Sequence, residues 1–328
     1  MKIAVIKLGA KGDVIRTLPI AEAIKKKYPN SEINWITRDN IKELMTGNPF
    51  INKISSIPLE INDKFDILYN FDIEDEATFL AASIKSVKKY GFYSEGGYPI
   101  SFNLGAEYYL NTLFDDELKR KNKKTYQEMM FEAAELKFDK EKPKIYLNEK
   151  DKKYAEDFIN KNKINTANLI GIHMGSSPRW PSKVWSKDKV KEFIIESNKI
   201  GQEVLLFGGP DELAKMENLV SELKENKIKF YQNNPHNSDK EFASLINICQ
   251  KVICSDSFAL HVAIALGKPT VGLFFCTSPS EVESYGILKK IVSPMLYEFF
   301  PERQDQYSED LVNSISSKDV LDALNNNK

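Results

Sequence analysis

The chain has 328 residues, of which 42% are hydrophobic and 28% charged, and its net charge is −1. That length allows two domains of ordinary size, each with its own core, and so small a charge offers no global field to nucleic acid or an anionic membrane. No apolar run approaches the roughly 18 to 20 residues of a membrane-spanning helix. The first residues open directly in a strand pattern without the n-region and h-region of a signal peptide. The three cysteines (Cys249, Cys254, Cys276) lack metal-type spacing, so the expectation is a cytoplasmic protein with reduced core thiols and no structural zinc.

Short apolar runs alternate with helix-length amphipathic segments, the pattern of parallel sheets with crossover helices. In the first half the runs are Lys2–Leu8, Glu32–Thr37, Lys53–Ile57, Phe65–Phe71 and Lys88–Tyr93. Val14–Tyr28 reads as one helix: Ile15, Leu18, Ala21 and Ile24 share a face, and Lys25–Lys27 complement the dipole. Pro29-Asn30-Ser31 ends it. Farther on, Lys119-Arg120-Lys121-Asn122-Lys123-Lys124 is a local basic cluster, either a solvated surface or a contact for something acidic. The stretch from about Phe138 to Asn168 is rich in Lys, Asn, Asp and Glu, holds a polar helix at Glu149–Lys161, and is the expected inter-domain linker.

A second series follows: Leu169–Met174, Glu203–Phe207, Ile228–Tyr231, Lys251–Cys254, Thr270–Phe275 and Lys290–Val292. The closing segment, Glu309–Leu324, is amphipathic and opens with acidic residues. The fold class implied is α/β, with two Rossmann-like doubly wound domains, 1–150 and 151–308, facing a central cleft. A C-terminal helix within 309–328 is expected to pack back on the first domain. Ligands of open α/β sheets bind beyond the carboxyl ends of the strands, so functional residues are sought in the loops that follow strands.

Four such loops carry unusual residues. Gly9-Ala10-Lys11-Gly12-Asp13-Val14-Ile15-Arg16 follows the first strand and is neither Gly-x-Gly-x-x-Gly nor a Walker A loop. Asp13 there either complements the helix dipole or projects as a general base. Gly175–Ser186 holds Ser176, Arg179 and Lys183 among two Trp and two Pro residues. It reads either as a stiffened phosphate-binding loop or as a connection anchored by aromatic packing. Phe207-Gly208-Gly209-Pro210-Asp211-Glu212 fits an ordinary helix cap; an acid there also suits ribose hydroxyls. Finally, Lys251–Cys254 runs into Ser255-Asp256-Ser257-Phe258 and His261, and the apolar stretch stops at Gly267-Lys268-Pro269-Thr270. Ser255, Asp256 and Ser257 are N-cap types, and unpaired amides with a helix dipole attract phosphate. His261, four residues past Ser257, projects along the same face. The plain alternative is a βα turn with a polar cap.

Taken as an ordered set, Gly12-Asp13, Lys183-x-Trp185, Gly208-Gly209-Pro210-Asp211-Glu212, and Ser255-Asp256-Ser257 with His261 and Gly267-Lys268-Pro269 resemble glycosyltransferase family 9, the ADP-heptose:lipopolysaccharide heptosyltransferases. The resemblance covers nearly the whole chain, including Asn313–Val320. It implies a GT-B architecture and an inverting, metal-independent transfer from a nucleotide-activated sugar, ADP-heptose, to a glycan hydroxyl, with no cofactor besides that co-substrate. It implies Asp13 as general base, Lys183 on the donor phosphates and Glu212 on the ribose. Asp256, Ser257 and the amides after them would hold the diphosphate and sugar, with His261 beside them; Gly12, Ser176, Arg179, Gly208, Gly209 and Phe258 complete the donor-binding set.

The partners implied are the nucleotide-sugar donor and a lipid-linked glycan acceptor met by peripheral contact at the inner membrane face, with no nucleic acid. Tyr93–Tyr109 and Lys119–Tyr126 are the acceptor-side candidates. The chain has no Asp-x-Asp pair, so lysine and helix dipole would do a metal's work. Two departures stand out. Phe258 occupies a position where many members have Gly, crowding the place where backbone approaches phosphate. Val184 and Ser186 replace a basic residue and a proline beside the Trp, which leaves Arg179 as an alternative phosphate ligand to Lys183. The rival readings are a nucleotide-sugar epimerase of the same fold and a non-catalytic nucleotide-sugar-binding protein. A dehydrogenase lacks its fingerprint here.

Overall fold

In the computed structural model, which describes residues 1–58 and 63–325, the apolar runs become strands and the segments between them helices. The chain divides into two units, Met1–Tyr146 with Ser280–Glu283, and Leu147–Pro279 with Ser284–Lys328. The first unit contains β1 (Lys2–Ile6), α1 (Lys11–Thr17), α2 (Pro19–Lys27), β2 (Glu32–Arg38), β3 (Lys53–Ile57), β4 (Phe65–Asn70), α3 (Asp75–Ser83), β5 (Ser86–Glu95), β6 (Tyr98–Ser101), α4 (Leu104–Phe114), α5 (Asp116–Lys121) and α6 (Tyr126–Ala133). Its sheet runs β3-β2-β1-β4-β5-β6. The strands are parallel up to β5, and β6 pairs antiparallel to it. Ile3 to Ile6 of β1 are fully buried, as expected of a central parallel strand covered on both faces. Ala4, Ile6, Leu8, Ile36 and Leu68 close a core with Ala77 and Ala81 of α3.

Two local features differ from the sequence expectation. Val14–Tyr28 is not one helix, because the chain turns at Leu18 and α2 restarts at Pro19. Proline has no N–H to bond the preceding turn and is tolerated only at a helix start. Strand β6 was not foreseen. Gly96 and Gly97, at φ +60° and +85°, close a hairpin that a side chain would strain.

The second unit contains α7 (Glu149–Asn162), β7 (Leu169–His173), α8 (Lys187–Lys199), β8 (Glu203–Phe207), α9 (Leu213–Glu225), β9 (Tyr231–Gln232), α10 (Asp239–Ile248), β10 (Lys251–Ser255), α11 (Phe258–Ala265), β11 (Thr270–Phe274), β12 (Leu288–Val292), α12 (Leu296–Phe299), α13 (Glu309–Asn313) and α14 (Ser317–Asn325). Its all-parallel sheet runs β12-β11-β10-β7-β8-β9. The strand expected at Ile228–Tyr231 begins only at Tyr231, because Ile228 N bonds Leu223 O and finishes the turn after α9.

The closing segment corrects two expectations. It is two short helices, because Ser316 starts a new one: its hydroxyl accepts from Asp319 N at 3.1 Å and donates to Asp319 Oδ2 at 2.6 Å. It also belongs to the second unit rather than packing back on the first. Leu311, Ile315, Val320, Ala323 and Leu324 join a core with Val190, Phe193 and Leu273. Residues 326–328 lie outside the described residues.

Candidate active site

In both sheets the strand order reverses once, between β1 and β4 and between β7 and β10. Connections leave such a point toward opposite faces and open a crevice at the carboxyl ends of the two strands. Gly12 and Asp13 follow β1, Ser176, Arg179 and Lys183 follow β7, and Asp256 to His261 follow β10, whereas Gly208, Gly209 and Glu212 follow the neighbouring β8.

At the β1–β4 point, Lys7 and Asp72 face each other, with Nζ 3.3 Å from Oδ2 and side chains only 5% and 4% exposed. The same Asp72 oxygen accepts from Leu8 N at 3.0 Å and Gly9 N at 2.5 Å. A Cβ on Gly9 would lie 3.0 Å from that oxygen and 3.1 Å from Lys7 Nζ, so a side chain there would have to push the pair aside. Burial alone would lower the pKa of Lys7. The surrounding Tyr126, Asp72, Asp13 and Tyr109 outweigh it and raise it, so Lys7 stays a cation. Gly12 is buried in the first turn of α1, and Asp13 follows it. Asp13 Oδ1 is 2.8 Å from Arg16 Nη2, and the Arg16 guanidinium lies 3.7 Å above the ring of Tyr126.

At the β7–β10 point the structure gathers Lys183, Asp256, Ser257 and His261. Asp256 Oδ2 is 3.3 Å from Lys183 Nζ and its Oδ1 is 3.8 Å from His261 Nε2. A carboxylate has the wrong sign for a phosphate but the right one to orient two nitrogen side chains. Ser257, extended at φ −140°, precedes α11, and its Oγ lies 3.4 Å from Nδ1 of His173. His173 escaped sequence reasoning because it sits inside an apolar run. Burial pushes it down to about 4, so it is neutral at ordinary pH. The Phe258 ring, in the first turn of α11, has an aromatic partner. It stacks on Phe242 of α10 at 5.5 Å, which in turn meets Phe207 at 5.3 Å and His173 at 5.8 Å.

Lys183 owes its place to its neighbours. Ser182 Oγ donates to Gln306 O and accepts from Ser308 N, each at 2.9 Å. Trp185 Nε1 donates to Ile315 O at 2.9 Å inside the core, and Ser186 N bonds Val312 O at 3.2 Å. The loop is thus pinned on both sides of Lys183 by the C-terminal segment. Ser176 and Arg179 stay within the loop: Ser176 Oγ donates to Trp180 O at 3.3 Å, and exposed Arg179 lies 4.8 Å over the Trp180 ring. Of the two cations, Lys183 is the one held beside Asp256.

Glu212 joins the same end of the sheet. Its Oε2 accepts from Gly209 N at 2.8 Å. A Cβ on Gly175 would lie 2.9 Å from both Glu212 Cδ and His173 Cε1, so these groups flank one glycine. Beyond lies a cavity of about 440 Å³ lined by Gly208, Gly209, Leu213, Met216, Gln232 and Asn233. Asn233, not foreseen, exchanges hydrogen bonds with Gly208 N at 3.0 Å and Gly208 O at 3.2 Å. Among the described residues, no three His, Cys, Asp or Glu side chains cluster so as to hold a metal ion, and no helix is long and apolar enough to cross a membrane.

Known proteins share the fold and the family of this chain. The lipooligosaccharide heptosyltransferase 2 of Haemophilus influenzae is 25% identical over 313 residues, covering 85% of this chain and 84% of its own. The structure of the glycosyl transferase family 9 protein from Veillonella parvula superposes with a TM-score of 0.78 at 20% identity, covering 99% of this chain and 96% of that one. That of the E. coli ADP-heptose LPS heptosyltransferase II gives 0.72 at 20% identity, covering 100% and 98%. Both establish the two-domain GT-B fold. The sequence profile described as glycosyltransferase family 9 (heptosyltransferase) matches residues 60–312. Matched over that much of its length, the chain belongs to glycosyltransferase family 9, the heptosyltransferase family, and is a glycosyltransferase.

Proposed function

We propose that this glycosyltransferase moves a heptosyl group from ADP-heptose to a hydroxyl of a lipopolysaccharide-core or related surface glycan, with inversion at the anomeric carbon and without a metal. Asp13 takes the proton of the acceptor hydroxyl, whose oxygen bonds the anomeric carbon as the bond to the diphosphate breaks and ADP departs. The sugar passes through an oxocarbenium-like state, as in glycoside hydrolysis, while negative charge grows on the leaving oxygens. Lys183 and the amides opening α11 stabilise that charge, with His261 beside them. Asp256 orients Lys183 and His261. Glu212 accepts from the ribose hydroxyls, and the cavity beyond Gly208 and Gly209 takes the adenine. The exposed residues of Tyr93–Tyr109 and Lys119–Tyr126 meet the acceptor, Tyr126 itself being buried; the acceptor is lipid-linked, so the enzyme works in the cytoplasm and touches the inner membrane face peripherally.

The observation that carries this reading is the Lys183–Asp256–His261 cluster at a strand switch point, in a chain of this family. The test supplies ADP-heptose and a heptose-free lipopolysaccharide core to the purified enzyme. ADP release matched by a gain of one heptose on the acceptor supports it. Asp13→Ala should abolish transfer and leave donor binding nearly intact; turnover near the native rate would remove Asp13 from its role. Isomerisation of the donor without acceptor would instead indicate the epimerase. Binding with neither transfer nor slow donor hydrolysis would indicate the non-catalytic protein.

A further inference from the structure

Arg16 is bound to Asp13 in an unusual way for an (i, i+3) pair on a helix surface. Such pairs usually join two long, mobile, solvated side chains and contribute little. Here the Arg16 side chain is 14% exposed against 35% for Asp13, so the cation is the fixed partner. Its guanidinium carbon lies over the Tyr126 ring, 3.7 Å from the centroid, within reach of cation–π attraction. Tyr126 is itself held: its hydroxyl is 3.0 Å from Thr17 Oγ1, and its ring meets Tyr109 edge-on at 5.8 Å. Thr17 Oγ1 donates to Asp13 O at 2.6 Å, and Gln127 Nε2 donates to Arg16 O at 3.4 Å. Helix α6 therefore fixes both ends of the turn that carries the acid.

We propose that Arg16, clamped on the Tyr126 ring, is a positioning residue that aims the Asp13 carboxylate and keeps it ionised for proton acceptance. The proposal rests on the reading of Asp13 as the base. The groups facing Asp13 include Arg16 on α1, Lys7 after β1, Tyr109 on α4 and Tyr126 on α6, with Asp72 after β4 behind Lys7. Lys7 is paired with Asp72, whereas Arg16 touches the acid itself at 2.8 Å and so distinguishes its charged from its neutral form. An opposite charge that close favours the ionised carboxyl, and its removal raises the carboxyl pKa.

The experiment titrates the full chain labelled with 13C-aspartate, with Asp13→Asn assigning the Asp13 carboxyl signal. The wild type, Arg16→Met and Arg16→Lys are compared, and the pH profile of heptosyl transfer is recorded for each. The expected result in Arg16→Met is a rise of about one pH unit in the Asp13 midpoint, with the acid limb of transfer moving by the same amount. Arg16→Lys, which keeps charge but not the guanidinium over the ring, should restore the midpoint and lose kcat. An unmoved midpoint and acid limb in Arg16→Met overturn the proposal. Transfer that persists in Asp13→Asn with the Arg16 shift intact overturns the base assignment instead, and leaves the ionic coupling standing.

Discussion

His173 shows how burial selects one protonation state. Half-buried at the end of β7 and set against Phe242, its ring is pushed down by desolvation to about 4 from 6.5. Between those two values the unfolded chain binds a proton that the folded chain refuses. Stability contributed by the neutral ring is therefore complete above pH 6.5 and is lost as pH falls toward 4. Urea unfolding at pH 7 and pH 5 should show the wild type losing about 2 kcal/mol more than His173→Gln across that interval. Equal losses in the two proteins would mean the ring is hydrated enough to charge freely. The same neutrality suits its neighbours: an uncharged ring leaves Glu212 and Ser257 free of a competing cation.

The Gly175–Ser186 loop shows what an element can borrow from a distant part of the chain. Lys183 is local to one loop, but its position is set by Gln306, Ser308 and Ile315 through Ser182 and Trp185. Trp185→Phe keeps the packing on Phe193 and strands the Ile315 carbonyl. The expected cost is about 1 to 2 kcal/mol of stability, with donor KM rising more than kcat falls; an unchanged donor KM would show that Lys183 holds its place without the anchor. This dependence bounds what the sequence could reveal. Parallel strands announced themselves as apolar runs, and the loops after them carried Asp13, Lys183, Glu212, Asp256 and His261 in legible order. Lys7 and Asp72 were silent because each looks ordinary alone, and only the β1–β4 pairing brings them together. Trp185 read as part of a binding constellation, because a tryptophan in a loop does not declare that its partner is a carbonyl near the C-terminus. The C-terminal helices were misplaced for the same reason: amphipathicity says that a face is buried, not which core buries it.

Across the whole chain, the two units repeat one topology and use it differently. Each switch point carries a lysine and an aspartate from the two central strands' loops. In the first unit Lys7 and Asp72 are sealed, and the Asp72 oxygen is already taken by the Leu8 and Gly9 amides. In the second, Lys183 and Asp256 remain 14% and 17% exposed. A sealed pair stiffens the loop that presents Asp13; under the proposed function, a half-buried one exchanges its partner for an incoming phosphate. Donor binding should therefore be independent of the first unit's acid. A ligand at 100 times its dissociation constant stabilises a protein by roughly 2.7 kcal/mol, readable as a rise in Tm. ADP-heptose should raise the Tm of the wild type and of Asp13→Ala alike, more than a UDP- or GDP-sugar does. Lys183→Met should lose most of that rise at the same donor concentration. A larger rise with a different base would reassign the donor. Loss of the rise in Asp13→Ala would show that Asp13 contributes to donor binding, and the division of labour between the sealed and the half-buried pair would fail.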